Sequence, residues 1–101
     1  MADLLRFHVL VRSDLRAAIN WYDSISVRLG NQFRAFVNAR FDEIEEQPDR
    51  FAVAFDDVRI TRIKRVPYLI LFRKRQGFIQ VLGVFHAASD PQKWRQRSQD
   101  T

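Results

Sequence analysis

Apolar residues recur at every second position near the start of the chain, at Leu5, Phe7, Val9 and Val11, interleaved with Arg6, His8, Leu10 and Arg12. Side chains alternate between the two faces of a strand, so this period predicts a half-buried strand. Ser13-Asp14 then reads as a helix N-cap followed by an acidic first turn. Leu15, Ala18, Ile19 and Tyr22 continue at helical spacing, and this first helix is expected to end between Asp23 and Ser26. A second helix is expected to begin near Ser26 or Leu29. Leu29, Phe33, Phe36, Val37, Phe41 and Ile44 form its apolar stripe, opposite Arg34, Asn38, Asp42 and Glu45. Pro48 cannot continue a helix and stops it. Two helices joined by so short a break predict an antiparallel hairpin, in which Gly30 would allow a close helix approach.

Beyond Pro48 the period changes. Phe51, Val53 and Phe55 alternate, Asp56-Asp57 turns the chain, and Val58 to Val66 is rich in β-branched and basic residues. Pro67 interrupts. Tyr68 to Phe72 and Phe78 to Phe85 are apolar at both parities, as expected of central strands covered on both faces. Arg73-Lys74-Arg75-Gln76-Gly77 between them reads as a charged hairpin turn. Asp90-Pro91 marks the start of a last short helix, with Asp as N-cap and Pro at the first helical position. Trp94 is its one large apolar residue. The order predicts an α+β fold: an N-terminal strand, an antiparallel helical hairpin packed on a mainly antiparallel four-stranded sheet, and a short C-terminal helix. The second sheet face is expected to be covered by that helix or by another protein.

At 101 residues, the chain has the size of a single domain spanning 1–101, with nine Phe, two Trp and two Tyr to fill its core. No Cys is present, so no disulfide supports it. Met1 to Arg6 lacks the basic segment and long apolar run of a signal peptide, and the apolar run from Tyr68 to Phe72 is too short to cross a bilayer. These features fit a soluble, cytoplasmic protein with no membrane partner. The net charge is +5, unevenly distributed. Residues 1–58 hold seven Arg against ten Asp and Glu, whereas residues 59–101 hold seven Arg and three Lys against two Asp. A cationic half of this kind attracts polyanions. Arg59, Arg62, Lys64 and Arg65 crowd the expected strand, with Arg62 and Lys64 on one face and Arg59 and Arg65 on the other. Arg73, Lys74 and Arg75 follow on the expected turn. All seven are candidates for binding an anion or a target, although charge that protects a sheet edge from pairing gives the same pattern.

The chemistry of most enzyme classes is missing from the pattern. His8 and His86 are the only histidines, and nothing has metal-ligand spacing. The acidic group Asp42, Glu43, Glu45 and Glu46 reads as a solvated helix face. There is no phosphate-binding glycine loop and no recognisable nucleophile setting. No metal and no cofactor is expected.

Several segments in series resemble a known family. Ala18-Ile19-Asn20-Trp21-Tyr22 precedes Leu29-Gly30-Asn31-Gln32-Phe33, and then comes Ile44-Glu45-Glu46-Gln47-Pro48. Arg62-Ile63-Lys64-Arg65-Val66-Pro67-Tyr68-Leu69-Ile70 follows, then Val81-Leu82-Gly83-Val84-Phe85-His86 and Asp90-Pro91-Gln92-Lys93-Trp94. From about Leu4 to Arg97 the chain resembles the ParE-type plasmid-stabilisation toxins of the RelE/ParE superfamily. The resemblance implies the fold read above and a toxin neutralised by a cognate antitoxin, whose helical and extended segments wrap its surface. It implies one of two actions. ParE-like members inhibit DNA gyrase and block replication by occupancy. RelE-like members are metal-independent endoribonucleases that cut messenger RNA on the ribosome. A degenerate, non-toxic relative is the third possibility.

For the nuclease branch, Arg62, Lys64, Arg65 and Arg73 would hold phosphate and His86 would move a proton. The chain departs from that branch in two places. It has no tyrosine near its C-terminus, only Tyr22 and Tyr68, and Ser89 stands where many relatives carry Arg before the Asp-Pro. The expectation is therefore a ParE-like gyrase inhibitor, with Trp21 and Trp94 as candidate partner contacts.

Overall fold

Strand β1 (Leu4–Phe7) leads into helices α1 (Val11–Ile25) and α2 (Val27–Glu46) and a single 3-10 turn at Pro48–Arg50. Strands β2 (Val53–Phe55), β3 (Val58–Arg62), β4 (Tyr68–Arg75) and β5 (Phe78–His86) follow, and helix α3 (Pro91–Gln99) closes the chain. The computed structural model describes residues 4–100. The strands form one sheet in the order β1-β5-β4-β3-β2. All neighbours are antiparallel except β1, which pairs parallel to β5 from Leu4↔Phe78 to Phe7↔Val81. The expected α+β arrangement is present, with a mixed sheet of five strands rather than four. The hairpin break also falls where expected: α1 ends at Ile25, and the Ser26 hydroxyl caps α2 by accepting from the Leu29 N–H at 3.0 Å.

The sheet is buried on both faces. Phe33, Val37, Phe41 and Ile44 of α2 pack with Val11 and Ala18 of α1 against Ile70, Phe72, Ile79, Val81 and Val84. On the opposite face Val58, Leu69, Leu71 and Leu82 form a smaller cluster under Trp94 of α3. Each large side chain so buried stabilises by about 1.5–3 kcal/mol. A bulge explains how β5 serves both layers. Leu71 pairs with Gly83 and Phe72 with Val81, which leaves Leu82 as the extra residue. The bulge breaks the simple alternation, so that Val81 and Val84 both pack in the helical-hairpin layer. Gly83 lies at this bulge, where an added Cβ would overlap the Phe85 ring and stand 2.8 Å from the Arg97 guanidinium. Gly30 is buried, and its missing Cβ makes room for the Asp23 carboxylate of α1.

Four local expectations are corrected. The first strand stops at Phe7, and Val11 is a buried helical residue rather than a strand residue. Ser13 lies inside α1 and its hydroxyl donates to the Leu10 carbonyl, so it is no N-cap. Strand β3 ends at Arg62, so Lys64 and Arg65 are not strand residues and the alternating assignment of faces fails beyond Arg62. Arg73, Lys74 and Arg75 belong to β4, and only Gln76-Gly77 makes the turn.

Because β1 is short, β5 runs on past it with an unpaired edge. Asp14 of α1 fills that gap by accepting from the Val84 N–H at 3.1 Å. Arg97 of α3 reaches the same edge and donates to the Leu82 carbonyl at 3.0 Å. The two side chains pair at 2.7 and 3.1 Å while only 12% and 13% exposed, and the Arg97 guanidinium stacks 4.8 Å from the Phe85 ring. Removing one partner of a buried pair strands the other charge. Arg97→Ala is therefore expected to cost about 3 kcal/mol, more than any exposed arginine. Urea denaturation of Arg97→Ala beside the wild-type protein checks this, and a loss under about 1 kcal/mol contradicts it.

Candidate functional site

The seven basic candidates divide into two groups. Arg59 donates to the Phe51 carbonyl at 2.7 Å and lies 3.6 Å from Asp49. Arg73 is buried, pairs with Asp57 at 3.1 Å and donates to the Ser98 carbonyl at 2.9 Å, which ties β4 to α3. Lys74 pairs with Asp49 at 2.9 Å and Arg75 with Asp57 at 3.3 Å. The Lys74 hydrogen bond, aided by the charges of Lys74 and Arg59, holds the Asp49 carboxyl below its ordinary range despite some desolvation. These four cations are engaged within the fold. Arg73 in particular is not available to a phosphate, and it sits at the opposite end of β4 from Tyr68.

Arg62, Lys64 and Arg65 are exposed and pair with no acid among the described residues. Their presentation follows from the loop sequence. Ile63 is buried in the hairpin-side core, Val66 packs against it, and the Ile63 N–H closes the loop on the Tyr68 carbonyl at 2.9 Å. With Ile63 and Val66 held inward, Lys64 and Arg65 are left at the tip. Arg65 adopts the left-handed backbone region, with φ of 70°, which disfavours any residue bearing a Cβ. From Val58 to Ser89 the sequence contains no acidic residue.

His86 reaches the same end of the sheet, paired with Tyr68, but not the same face as Arg62. Tyr68 and His86 meet edge to face at 5.2 Å, with Tyr68 packed in the hairpin-side core, whereas Arg62 lies opposite Leu69 of the α3-side cluster. The His86 Nδ1 accepts from the Ala88 N–H at 3.0 Å. The five nuclease candidates are thus spread over two faces and two ends of the sheet.

Tyr68 also approaches Tyr22 of α1 at 6.3 Å, and Phe33 contacts both rings. Burial raises both phenols above their ordinary range, and Tyr68 raises Tyr22 further. Trp21, one residue earlier, is 63% exposed and joins Ile25 and Val27 as an apolar knob at the hairpin bend. Trp94 is half-buried and its indole donates to the Ser89 hydroxyl at 3.0 Å, which itself donates to the His86 carbonyl at 2.7 Å. Ser89 thereby joins α3 to the end of β5, and Trp94 covers core.

A second surface was not visible in the sequence. An open groove of about 680 Å³ runs beside the free edge of β1, with Phe7, Leu15, Ile19 and Phe41 in its floor and Arg12, Arg16 and Arg34 among its lining residues. Phe7 is half exposed there, and Val9 beside it is almost fully exposed. The period-two pattern places these residues in a strand without saying which are left uncovered. No helix among the described residues is long and apolar enough to cross a membrane.

Helical hairpin, mixed sheet and trailing helix together define the RelE/ParE-like toxin fold. The chain superposes on a structure of the chromosomal ParDE toxin–antitoxin system from P. aeruginosa with a TM-score of 0.72, at 17% identity, covering 84% of this chain and 96% of that one. It superposes on a mutant of the E. coli toxin RelE in the free state with a TM-score of 0.66, at 13% identity, covering 99% and 98%. The family model described as the ParE toxin of the type II toxin–antitoxin system parDE matches residues 5–91. Toxin ParE2 of Mycobacterium tuberculosis is 28% identical over 92 residues, 90% of this chain and 88% of that protein. The chain belongs to the ParE toxin family. It is a ParE-like type II toxin, and that family implies a cognate antitoxin as partner.

The tyrosine pair has a measurable signature. A phenol whose pKa is raised by folding stabilises the fold fully below the unfolded value of about 10 and loses that contribution as pH climbs through the folded one. Tyr22 and Tyr68 are therefore expected to ionise later than in the unfolded chain, with stability falling above about pH 10. Absorbance titration of native and urea-unfolded protein checks this, and coincident curves refute it.

Proposed function

We propose that this toxin acts by occupancy on DNA gyrase, binding and blocking it rather than cutting a bond. The observation that carries the reading is the dispersal of the nuclease candidates. Arg73 is buried in an ion pair, His86 is on the face opposite Arg62, and Lys64 and Arg65 project from a loop tip. A metal-free nuclease needs its phosphate-holding and proton-moving groups around one scissile bond. The family match and the ParE2 relative favour the same side of the choice. The antitoxin is proposed to seat an acidic, amphipathic segment in the groove beside β1. There Phe7 and Val9 offer apolar area, the strand offers an edge without a neighbour, and Arg12 and Arg16 offer positive charge.

The test is induced expression in bacteria lacking the antitoxin, with DNA synthesis, protein synthesis and message integrity followed over the first minutes. DNA synthesis is expected to stop first with messages intact, and purified toxin is expected to inhibit supercoiling by gyrase. Early arrest of translation with cut messages would transfer the protein to the ribosome-dependent nuclease branch. No effect on either would mark a disarmed relative.

A further inference from the structure

Two features project from one end of the molecule. The first is the loop from Ile63 to Pro67, which carries Lys64 and Arg65 at its tip and Arg62 at its base. The second is the bend between α1 and α2. Here Trp21 and Ile25 share a helix face at a spacing of four, and Val27 follows, with exposures of 63%, 58% and 70%. The Tyr22–Tyr68 contact places the features side by side, since Tyr22 precedes the bend by one turn and Tyr68 directly follows the loop.

The charge is left over. Arg59, Arg73, Lys74 and Arg75 share the carboxylates of Asp49 and Asp57, but no acid is paired with the three loop cations among the described residues. Asp23, the residue after Tyr22 on the hairpin, is itself paired with Arg34 at 3.2 Å. Asp90, at the start of α3, caps that helix by accepting from Gln92. The backbone is also held against preference, since Arg65 occupies a left-handed position where Gly would be free of strain. Strain of this kind persists where the surrounding structure enforces it, and it concentrates at binding sites. Here Ile63 and Val66 enforce it. An exposed tryptophan with aliphatic neighbours, beside a loop that carries unpaired arginines, has the composition of a protein-binding hot spot.

We propose that this end is the surface with which the toxin grips its target, and that it fits an acidic protein face with an apolar recess for Trp21. The assignment rests on the toxin reading but not on which protein is poisoned. Nucleic acid would answer the cations and leave Ile25 and Val27 unmatched, so a protein is favoured.

Three variants test it, all at exposed positions: Arg62→Glu, Arg65→Gly and Trp21→Ala. Arg65→Gly removes the charge and relieves the backbone, so its melting temperature should rise while its potency falls, a combination that a merely structural role does not give. Growth arrest on induction, at matched protein levels, is the first readout. Each variant should need at least about tenfold more toxin than wild type to arrest growth. Equal potency of the Arg65 and Trp21 variants overturns the proposal, and so does a wild-type chain that arrests nothing. Supercoiling by purified gyrase is the second readout. Wild-type arrest without loss of supercoiling removes gyrase as target, while the variants still judge the surface by growth. Filter binding to a single-stranded RNA and to a DNA duplex is the third. Salt-sensitive binding that Arg62→Glu abolishes and Trp21→Ala leaves intact would make nucleic acid the occupant and refute the protein assignment.

Discussion

The Asp14–Arg97 pair holds the two ends of this fold together. It sits where β5 outruns β1, at an edge that would otherwise leave a backbone N–H at Val84 and a carbonyl at Leu82 without partners. Buried backbone groups left unpaired cost about 1–3 kcal/mol each. One carboxylate from the hairpin layer and one guanidinium from α3 fill both positions and neutralise each other. Other features follow from this contact. The bulge at Leu82-Gly83 is tolerated because Gly83 leaves room for the guanidinium, and α3, poor in apolar residues, is held to the sheet by polar contacts. Arg73 to the Ser98 carbonyl and His8 to the Asp100 carbonyl, each at 2.9 Å, complete the attachment.

The distribution of charge follows a similar logic. A strongly basic C-terminal half looks uniform along the sequence, yet the fold sorts it by partner. Asp49 and Asp57 come from the acidic half, and each sits beside two cations of the basic half. Arg97 is matched to Asp14 in the same way. Among the cations left without an acid partner in the described residues are the three of the loop at one end and Arg12 and Arg16 along the wall of the groove, with Arg6, Arg28, Arg50, Lys93 and Arg95 elsewhere on the surface. The loop and the groove are thus two places where unpaired charge lies beside exposed apolar area, and the family implies a cognate antitoxin to meet such a surface.

Much of the architecture was legible in the chain. Helical spacing fixed α1 and α2, Pro48 marked the end of the second, Asp90-Pro91 marked α3, and the double-parity apolar runs marked the central strands. The errors arose where tertiary contacts overrode local pattern. Val11 continues an alternation begun by Leu5, but the chain turns at His8, whose Nδ1 accepts from the Leu10 N–H at 3.0 Å. Lys64 and Arg65 look like strand because Ile63 and Val66 flank them, but a loop carries all four, with Ile63 buried and Val66 partly buried against the core. Arg73 reads as surface because arginine is seldom buried, and only the distant pair of Asp57 and Ser98 makes its burial affordable. The site was half legible for the same reason: sequence lists cations, whereas pairing decides which are free.

The parallel pairing of β1 with β5 has a consequence for timing. Leu4 lies beside Phe78, so β1 must wait for β5, the last strand of the sheet in chain order, before it has its native neighbour. The Asp14–Arg97 contact closes a span of 83 residues, later still. Contacts of such sequence separation form slowly, because the chain must lose much of its freedom before they reward it. A chain grown only as far as Val81 can form the helical hairpin but has neither a complete β5 edge to receive Asp14 nor the helix that supplies Arg97. The hairpin is thus in place before the layer that covers its apolar face is complete.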